Sequence, residues 1–395
     1  MKVPRRTFSL GGLLLAPTLL TTTADQPELR VAVIGHTGRG NYGHGLDSVW
    51  QKIAGMRVVA VADADPVGLT RELSALQVDA SSGYTNFREM LDKIRPDIVA
   101  VCPRHPDQHR DMIVAAIESG AQGIYVEKPY VRTPAEADAI SAALVGSSCK
   151  VAVAHRNRYH PVLHHISELV QTGKIGRLLE IRGRGKGDRR GGAEDLWVLG
   201  SHVLNMMTFL AGAPLDCSAT MLANGRPVTK LDVREGAEGL GLLAGNEVHA
   251  RFRFDSGVTA YFDSVANDQT NNEAFGLQLI GSEGVIAIQA DREPLAYLLP
   301  GNPFRNSTEP RHLQAILPPH VDPVGLPELV KQIYDHRAAA QDLVEAMLND
   351  RQPLCNHHEA SLTVEMICAV FESHRSGGAT VGIPMRMREH PLSRL

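Results

Sequence analysis

The chain has no Cys-x-x-Cys pair. Its five cysteines, Cys102, Cys149, Cys217, Cys355 and Cys368, are odd in number and far apart, which indicates neither a disulfide framework nor a structural zinc site and leaves buried thiols as the expectation. Histidines do not make up for this. His164-His165 and His357-His358 are adjacent pairs, and neighbouring residues on a helix point in different directions, so no metal site is expected. An excess of either charge is also missing. A formal charge of −4 gives no electrostatic reason to expect nucleic acid or an anionic membrane as partner. The one arginine-glycine stretch, "RGRGKGDRRGG" at 182–192, is short, single and continuous with a strand-like run. It reads as a substrate-facing loop that includes Arg189, not as an RNA-binding tract. Internal repeats and low-complexity linkers are absent.

One apolar run stands out, from Leu10 to Leu20, between a basic start at Lys2, Arg5 and Arg6 and the small residues Thr22, Thr23 and Ala24. Residues 1–24 therefore read as an export signal, too short for a permanent transmembrane helix. Arg5-Arg6-Thr7-Phe8 resembles the twin-arginine type, which exports folded proteins. A periplasmic location without stable membrane insertion is expected, with any scarce cofactor loaded before export.

With 395 residues, 43% hydrophobic and 21% charged, the chain has room for two packed domains. From Leu29 onward, β-branched runs alternate with helix-compatible stretches: "LRVAVIG", "MRVVAVAD", "PDIVAVCP", "GIYVEKP" and "CKVAVAH". Apolar strands alternating with helices predict a doubly wound parallel α/β sheet over residues 25–156, with a second domain over 157–395. Ligands of such sheets lie outside the carboxyl ends of the strands. Gly35, Asp63, Pro103, Glu127 and Lys128 all fall on that edge.

The first turn, "GHTGRG", has Gly35 and Gly40 in the first and third places of a dinucleotide fingerprint, with Thr37 in the second and Gly38 and Arg39 between. Asp63 ends the next strand, where a carboxylate can accept the ribose hydroxyls of NAD and repel the 2′-phosphate of NADP. Asp65 is an alternative acid, and Arg39 could accommodate a phosphate. Turn and acid together predict a bound dinucleotide, with NAD favoured. Lys128 would then reach the reacting end of the cofactor, its backbone held extended by Pro129.

These residues, with "CPRHPDQHRDMIVAAIESGAQGIYVEKP", "HRNRYHPV", "LGSHVLNMMTFLAG", "LIGSEGVIAIQ" and "VGIPMRMREHPL", resemble the Gfo/Idh/MocA oxidoreductases over essentially the whole chain after the signal. The resemblance implies an N-terminal Rossmann domain and a C-terminal α/β domain with an open, largely antiparallel sheet. It also implies oligomer formation, NAD-dependent oxidation of a sugar, polyol or glycoside hydroxyl, and catalysis by Lys128 and His202. His109 is placed near the cofactor, and Arg156, Arg158 and Tyr159 near substrate. In the family an aspartate lies four residues before the catalytic histidine. Here Val198 stands there, and Asn205 replaces a second frequent aspartate, so Asp195 or Glu194 is expected to supply the carboxylate unless His202 works without one. Two rival functions share the pattern: a redox-neutral NAD-dependent glycosidase or lyase, and a non-catalytic sugar-binding or scaffold protein.

Overall fold

A computed structural model describes residues 28–395 apart from 271, 272, 308 and 320; the export reading of 1–24 lies outside the described residues. Each predicted apolar run of the first half is a strand: β1 (Leu29–Ile34), β2 (Met56–Ala62), β4 (Ile98–Val101), β5 (Gly123–Val126) and β6 (Lys150–Val153). A two-residue β3 (Gly83–Tyr84) adds an edge that the pattern did not announce. The order is β3-β2-β1-β4-β5-β6, all parallel, so the direction of winding reverses beside β1. Val31, Val33, Val99 and Ile124 are fully buried, as strands covered on both faces require.

Helices α1 (Pro66–Ala75), α2 (Phe87–Ile94), α3 (His109–Glu118) and α4 (Pro134–Ala143) connect the strands. Their starts are written in the sequence. Asp65 accepts from the Gly68 amide at 2.6 Å and Thr133 from the Glu136 amide at 3.2 Å, each followed by a proline whose missing N–H is not needed there.

Between β1 and β2 the expected helix does not form. Residues 35–48 make a succession of turns, followed by a four-residue 3-10 helix at Val49–Lys52. Tyr42, Leu46, Val49 and Trp50 fill the space beneath, all buried.

The chain then passes through α5 (Pro161–Gln171) into β7 (Leu178–Arg184), α6 (Ala193–Val198), α7 (Gly200–Ala211) and β8 (Pro214–Ala223). In the large second sheet, β8 pairs with Glu247–Phe254, that strand pairs with Thr259–Val265, and β7 follows, then Gly276–Gly281, Gly284–Gln289 and Ala296–Pro300. All of these pairs are antiparallel except Thr259–Val265 against β7, so the sheet is mixed. The predicted hairpin around Asp255-Ser256-Gly257 is present, with Arg253 opposite Thr259 and one side of each strand buried.

The C-terminal helices α8 (Leu326–Tyr334), α9 (Arg337–Leu348) and α10 (His357–Arg375) close the fold. The boundary expected at 156/157 falls just after β6, yet α9 packs on β5 and β6 from beyond it. A Cβ at Gly123 would collide with the Met347 side chain, and the Tyr125 hydroxyl lies 2.7 Å from Nδ1 of His336. α10 lies against β8 and α7 on the inner face of the second sheet.

Candidate active site

The carboxyl edge of the parallel sheet carries the site. Gly40, with φ of +88°, has the backbone of Arg104 and His105 against the position a side chain would occupy, so only glycine fits this turn. Tyr42 folds back against Gly35 and donates to Asp63 at 2.8 Å. Asp63 also accepts from the Thr37 amide at 3.0 and 3.1 Å, from Thr37 Oγ1 at 2.7 Å and from the Asp65 amide at 2.9 Å. Burial alone would raise this carboxyl, but those donors outweigh it and hold it below the usual carboxylate range. The assignment of Asp63 as ribose acceptor therefore needs correction. A carboxylate has about four acceptor positions, and here protein donors take them, so Asp63 shapes the turn and leaves a negative charge beside the cleft. Asp65 caps α1 instead. Gly38 is exposed, its amide donating to Asn41, and Arg39 is paired with Asp107.

A cleft of about 230 Å³ opens outside these strand ends, lined by Gly35, His36, Asp63, Ala64, Asn86 and Gln108 among others. His109 stands behind the edge. Its Nδ1 is 3.0 Å from the carbonyl oxygens of both Pro129 and Tyr130, and its Nε2 is 2.7 Å from that of Pro103. Fully buried, it ties the ends of β4 and β5 together and has no ring nitrogen left for a cofactor.

At the end of β5, Glu127 is buried and pairs with His44. Burial would raise its carboxyl, but His44, Lys128 and His336 bring it down to about 2. Lys128, also buried, donates from Nζ to the carbonyl oxygen of Val198 at 3.0 Å. Burial draws its ammonium below the ordinary lysine range, partly opposed by Glu127. His202, in the first turn of α7, is held well below an ordinary imidazole by burial and then by the Lys128 charge, and is neutral at pH 7. Lys128 and His202 are thus both buried near one another, and Val198, where the resemblance led an aspartate to be expected, supplies a backbone carbonyl.

Asp195 is not that missing carboxylate. It is completely buried, accepts from Ser264 Oγ at 2.5 Å and from the Lys186 amide at 3.1 Å, and so pins the 185–192 loop to the strand Thr259–Val265. Glu194 begins α6 beside it. Arg158 donates to the Asn205 carbonyl at 2.7 Å and to Glu359 at 2.8 Å, and Tyr159 bonds Asp342 at 3.2 Å. These bonds brace the interior, while Nε of Arg158 is buried with no hydrogen-bond partner among the described residues. Arg156 spans Tyr334 and Asp291, and Arg189 is an exposed residue of the loop.

Tyr42, His44 and His155 also border the site and were not foreseen from the sequence. His155 lies inside "HRNRYHPV", where only the arginines and tyrosine drew attention. His155 meets His202 edge to face, with ring centroids 5.3 Å apart. Tyr42 and His44 had no signal, since a turn in place of a helix cannot be read from spacing.

Residues 29–155 match the model described as "Oxidoreductase family, NAD-binding Rossmann fold", and residues 167–383 match "Oxidoreductase family, C-terminal alpha/beta domain". The chain belongs to the Gfo/Idh/MocA oxidoreductases. Among relatives of this family member, the levoglucosan dehydrogenase of Pseudarthrobacter phenanthrenivorans is 26% identical over 259 residues, 59% of this chain and 65% of that protein. The D-apiose dehydrogenase of Paraburkholderia graminis is 25% identical over 287 residues, 68% of this chain and 70% of that protein. A solved levoglucosan dehydrogenase in complex with NADH and L-sorbose superposes with a TM-score of 0.71 at 18% identity, over 91% of this chain and 100% of that one.

The first domain is thus an NAD-binding Rossmann domain, and its edge fits the cofactor in two places. The cleft at β1 and β2 can take the adenosine end, and orphaned buried polar atoms at His155, Ser201 and His202 border the reacting end. Between them the turn provides no helix terminus for a diphosphate.

Proposed function

We propose that the protein oxidises a hydroxyl group of a sugar, polyol or related glycoside, with NAD favoured over NADP. The observation that carries this is the burial of Lys128 at the strand edge of an NAD-binding domain, close enough to His202 for its charge to help hold that imidazole neutral. One Lys128 N–H is fixed by the Val198 carbonyl, which leaves two protons for a substrate oxygen. His202, uncharged, can receive the hydroxyl proton as the neighbouring C–H bond breaks. NAD⁺, when bound, supplies the hydride acceptor. Lys128 stabilises the developing alkoxide, and the buried setting strengthens that interaction because water does not screen it.

The test follows NADH absorbance over a panel of monosaccharides, polyols and anhydrosugars. Net NADH release is the expected result, and Lys128→Ala should lower kcat roughly 30- to 1000-fold with NAD affinity nearly intact, equivalent to about 2–4 kcal/mol. Glycoside cleavage without NADH accumulation would replace this reading with the redox-neutral one. We further propose that the protein is exported folded through Arg5 and Arg6 and assembles as a homo-oligomer. The signal pattern supports the first part, and retention of an Arg5→Lys, Arg6→Lys precursor inside the cell would check it. The family's use of the second sheet supports the other, which light scattering can test. No helix among the described residues is long and apolar enough to cross a membrane.

A further inference from the structure

The site holds more unpaired polar atoms than a lysine and histidine alone explain. Nδ1 of His155, Nδ1 of His202, Oγ of Ser201 and both side-chain polar atoms of Asn157 are buried with no hydrogen-bond partner among the described residues. They lie on two segments, the chain leaving β6 and the start of α7, joined by the edge-to-face contact of His155 with His202 at an interplanar angle of 87°. Buried polar groups are almost always paired in folded proteins. The two imidazoles in contact each carry an unpaired buried nitrogen, which a ligand reaching that contact could pair.

Chemistry narrows that ligand. His155 and His202 are 2% and 7% exposed, and both are held neutral by burial and then by the Lys128 charge, His155 at about 3. A neutral imidazole has one N–H donor and one bare acceptor nitrogen, and a hydroxyl likewise both gives and takes a hydrogen bond. Two such rings in contact therefore match two hydroxyls on neighbouring carbons. A hydrocarbon would leave every one of these atoms unpaired.

We propose that His155 is a second substrate-contacting imidazole, which with His202 grips two adjacent hydroxyls of the substrate and so does the work of the carboxylate that Val198 cannot provide. This rests on the oxidoreductase reading above and specifies which substrates that site accepts. His202 serves the hydroxyl being oxidised, and His155 the one beside it. Proton and hydride accounting is unchanged. The hydroxyl proton goes to His202, the hydride and its electron pair go to the nicotinamide of NAD⁺, and His155 neither gains nor loses a proton overall.

Three variants separate this role from packing. His155→Phe keeps the ring contact and removes the polar atoms, His155→Asn keeps a polar atom near the Nδ1 position, and His155→Ala removes both. Each is assayed with the best panel substrate and with its analogue lacking the neighbouring hydroxyl, alongside calorimetric binding of the same sugar to the NADH complex. His155→Phe should fold normally yet lose at least 50-fold in kcat/KM and in sugar affinity on the diol. His155→Asn should recover at least fivefold of that loss, and all variants should differ little on the deoxy analogue. If His155→Phe matches wild type while wild type oxidises sugars, the assignment of His155 is wrong and the oxidoreductase reading stands. An equal loss on diol and deoxy substrate also overturns it, because that is the signature of a packing defect. Absence of NADH release and of sugar binding in wild type across the whole panel would overturn both.

Discussion

At the level of single residues, burial decides what each ionisable group can do. His202 is a base already free of its proton near neutrality, and Lys128 is an acid weaker in its hold on the proton than an exposed lysine. Protonating His202 requires pH well below 6.5, and Lys128 loses its charge below 10.5. The kcat/KM profile should accordingly be flat through neutrality, with an acid limb below 6.5 and an alkaline limb below 10.5. A profile breaking near 6.5 would show an imidazole in contact with solvent. Asp195 gives a contrasting expectation. Asp195→Asn removes a charge that accepts from Ser264 and the Lys186 amide, which should lower stability by about 1–3 kcal/mol. Because the carboxylate is turned away from Lys128, kcat should stay within about twofold, as for a positioning defect and not a lost catalytic group. Paired melting and turnover measurements distinguish the two.

At the level of elements, the parallel strands were legible because each is a short, mostly apolar β-branched run closed by a glycine or a polar or proline residue. Lys128 was legible as a strand-end residue, whereas His202 came into view only through the family resemblance. Two things were hidden. The turn from Gly35 to Ser48 takes the place of a helix through side-chain contacts, Tyr42 on Gly35 and Asp63, which no periodicity encodes. Asp195 and Val198 are both near His202 in sequence, but α6 directs the aspartate toward Ser264 and places the Val198 carbonyl over Lys128. Sequence proximity suggested the wrong carboxylate because spacing does not show that the Asp195 side chain is taken by Ser264 and the Lys186 amide while Val198 acts through its backbone carbonyl. α9 supplies a test at this scale. Leu343 is fully buried and lies beside Gly123 with Met347, so Leu343→Ala should destabilise the protein by about 2–5 kcal/mol. If the melting transition is unchanged, α9 is not part of the Rossmann core.

For the whole molecule, buried neutral histidines set the response to acid. His155 is pushed to about 3, His336 and His390 to about 4, and His202 well below 6.5, in each case first by burial. An unfolded histidine takes up its proton near 6.5 while these folded ones refuse it. Their contribution to stability is complete above about pH 6.5 and falls as the pH drops toward 4, by roughly 1.4 kcal/mol per histidine per pH unit. Glu72, raised to about 8 by burial and by Asp47, works in the opposite sense over part of this range. The histidines outnumber it, so stability should decline as the pH falls below about 6.5. Denaturant midpoints taken from pH 7 to pH 4 would show the decline. A midpoint flat down to pH 4.5 would mean that these rings are hydrated in solution.

The return of α9 to the first sheet also has a consequence in time. Tyr125 meets His336 across 211 residues of chain, so β5 and β6 leave the ribosome long before the helix that covers them. At roughly 5–20 residues per second, that face stays open for on the order of 10 to 40 seconds. During this interval the nascent chain displays an apolar sheet surface that α9 has yet to cover. The fold completes only when α10 has emerged. A transport route that accepts only finished proteins would therefore act on this chain after translation has ended.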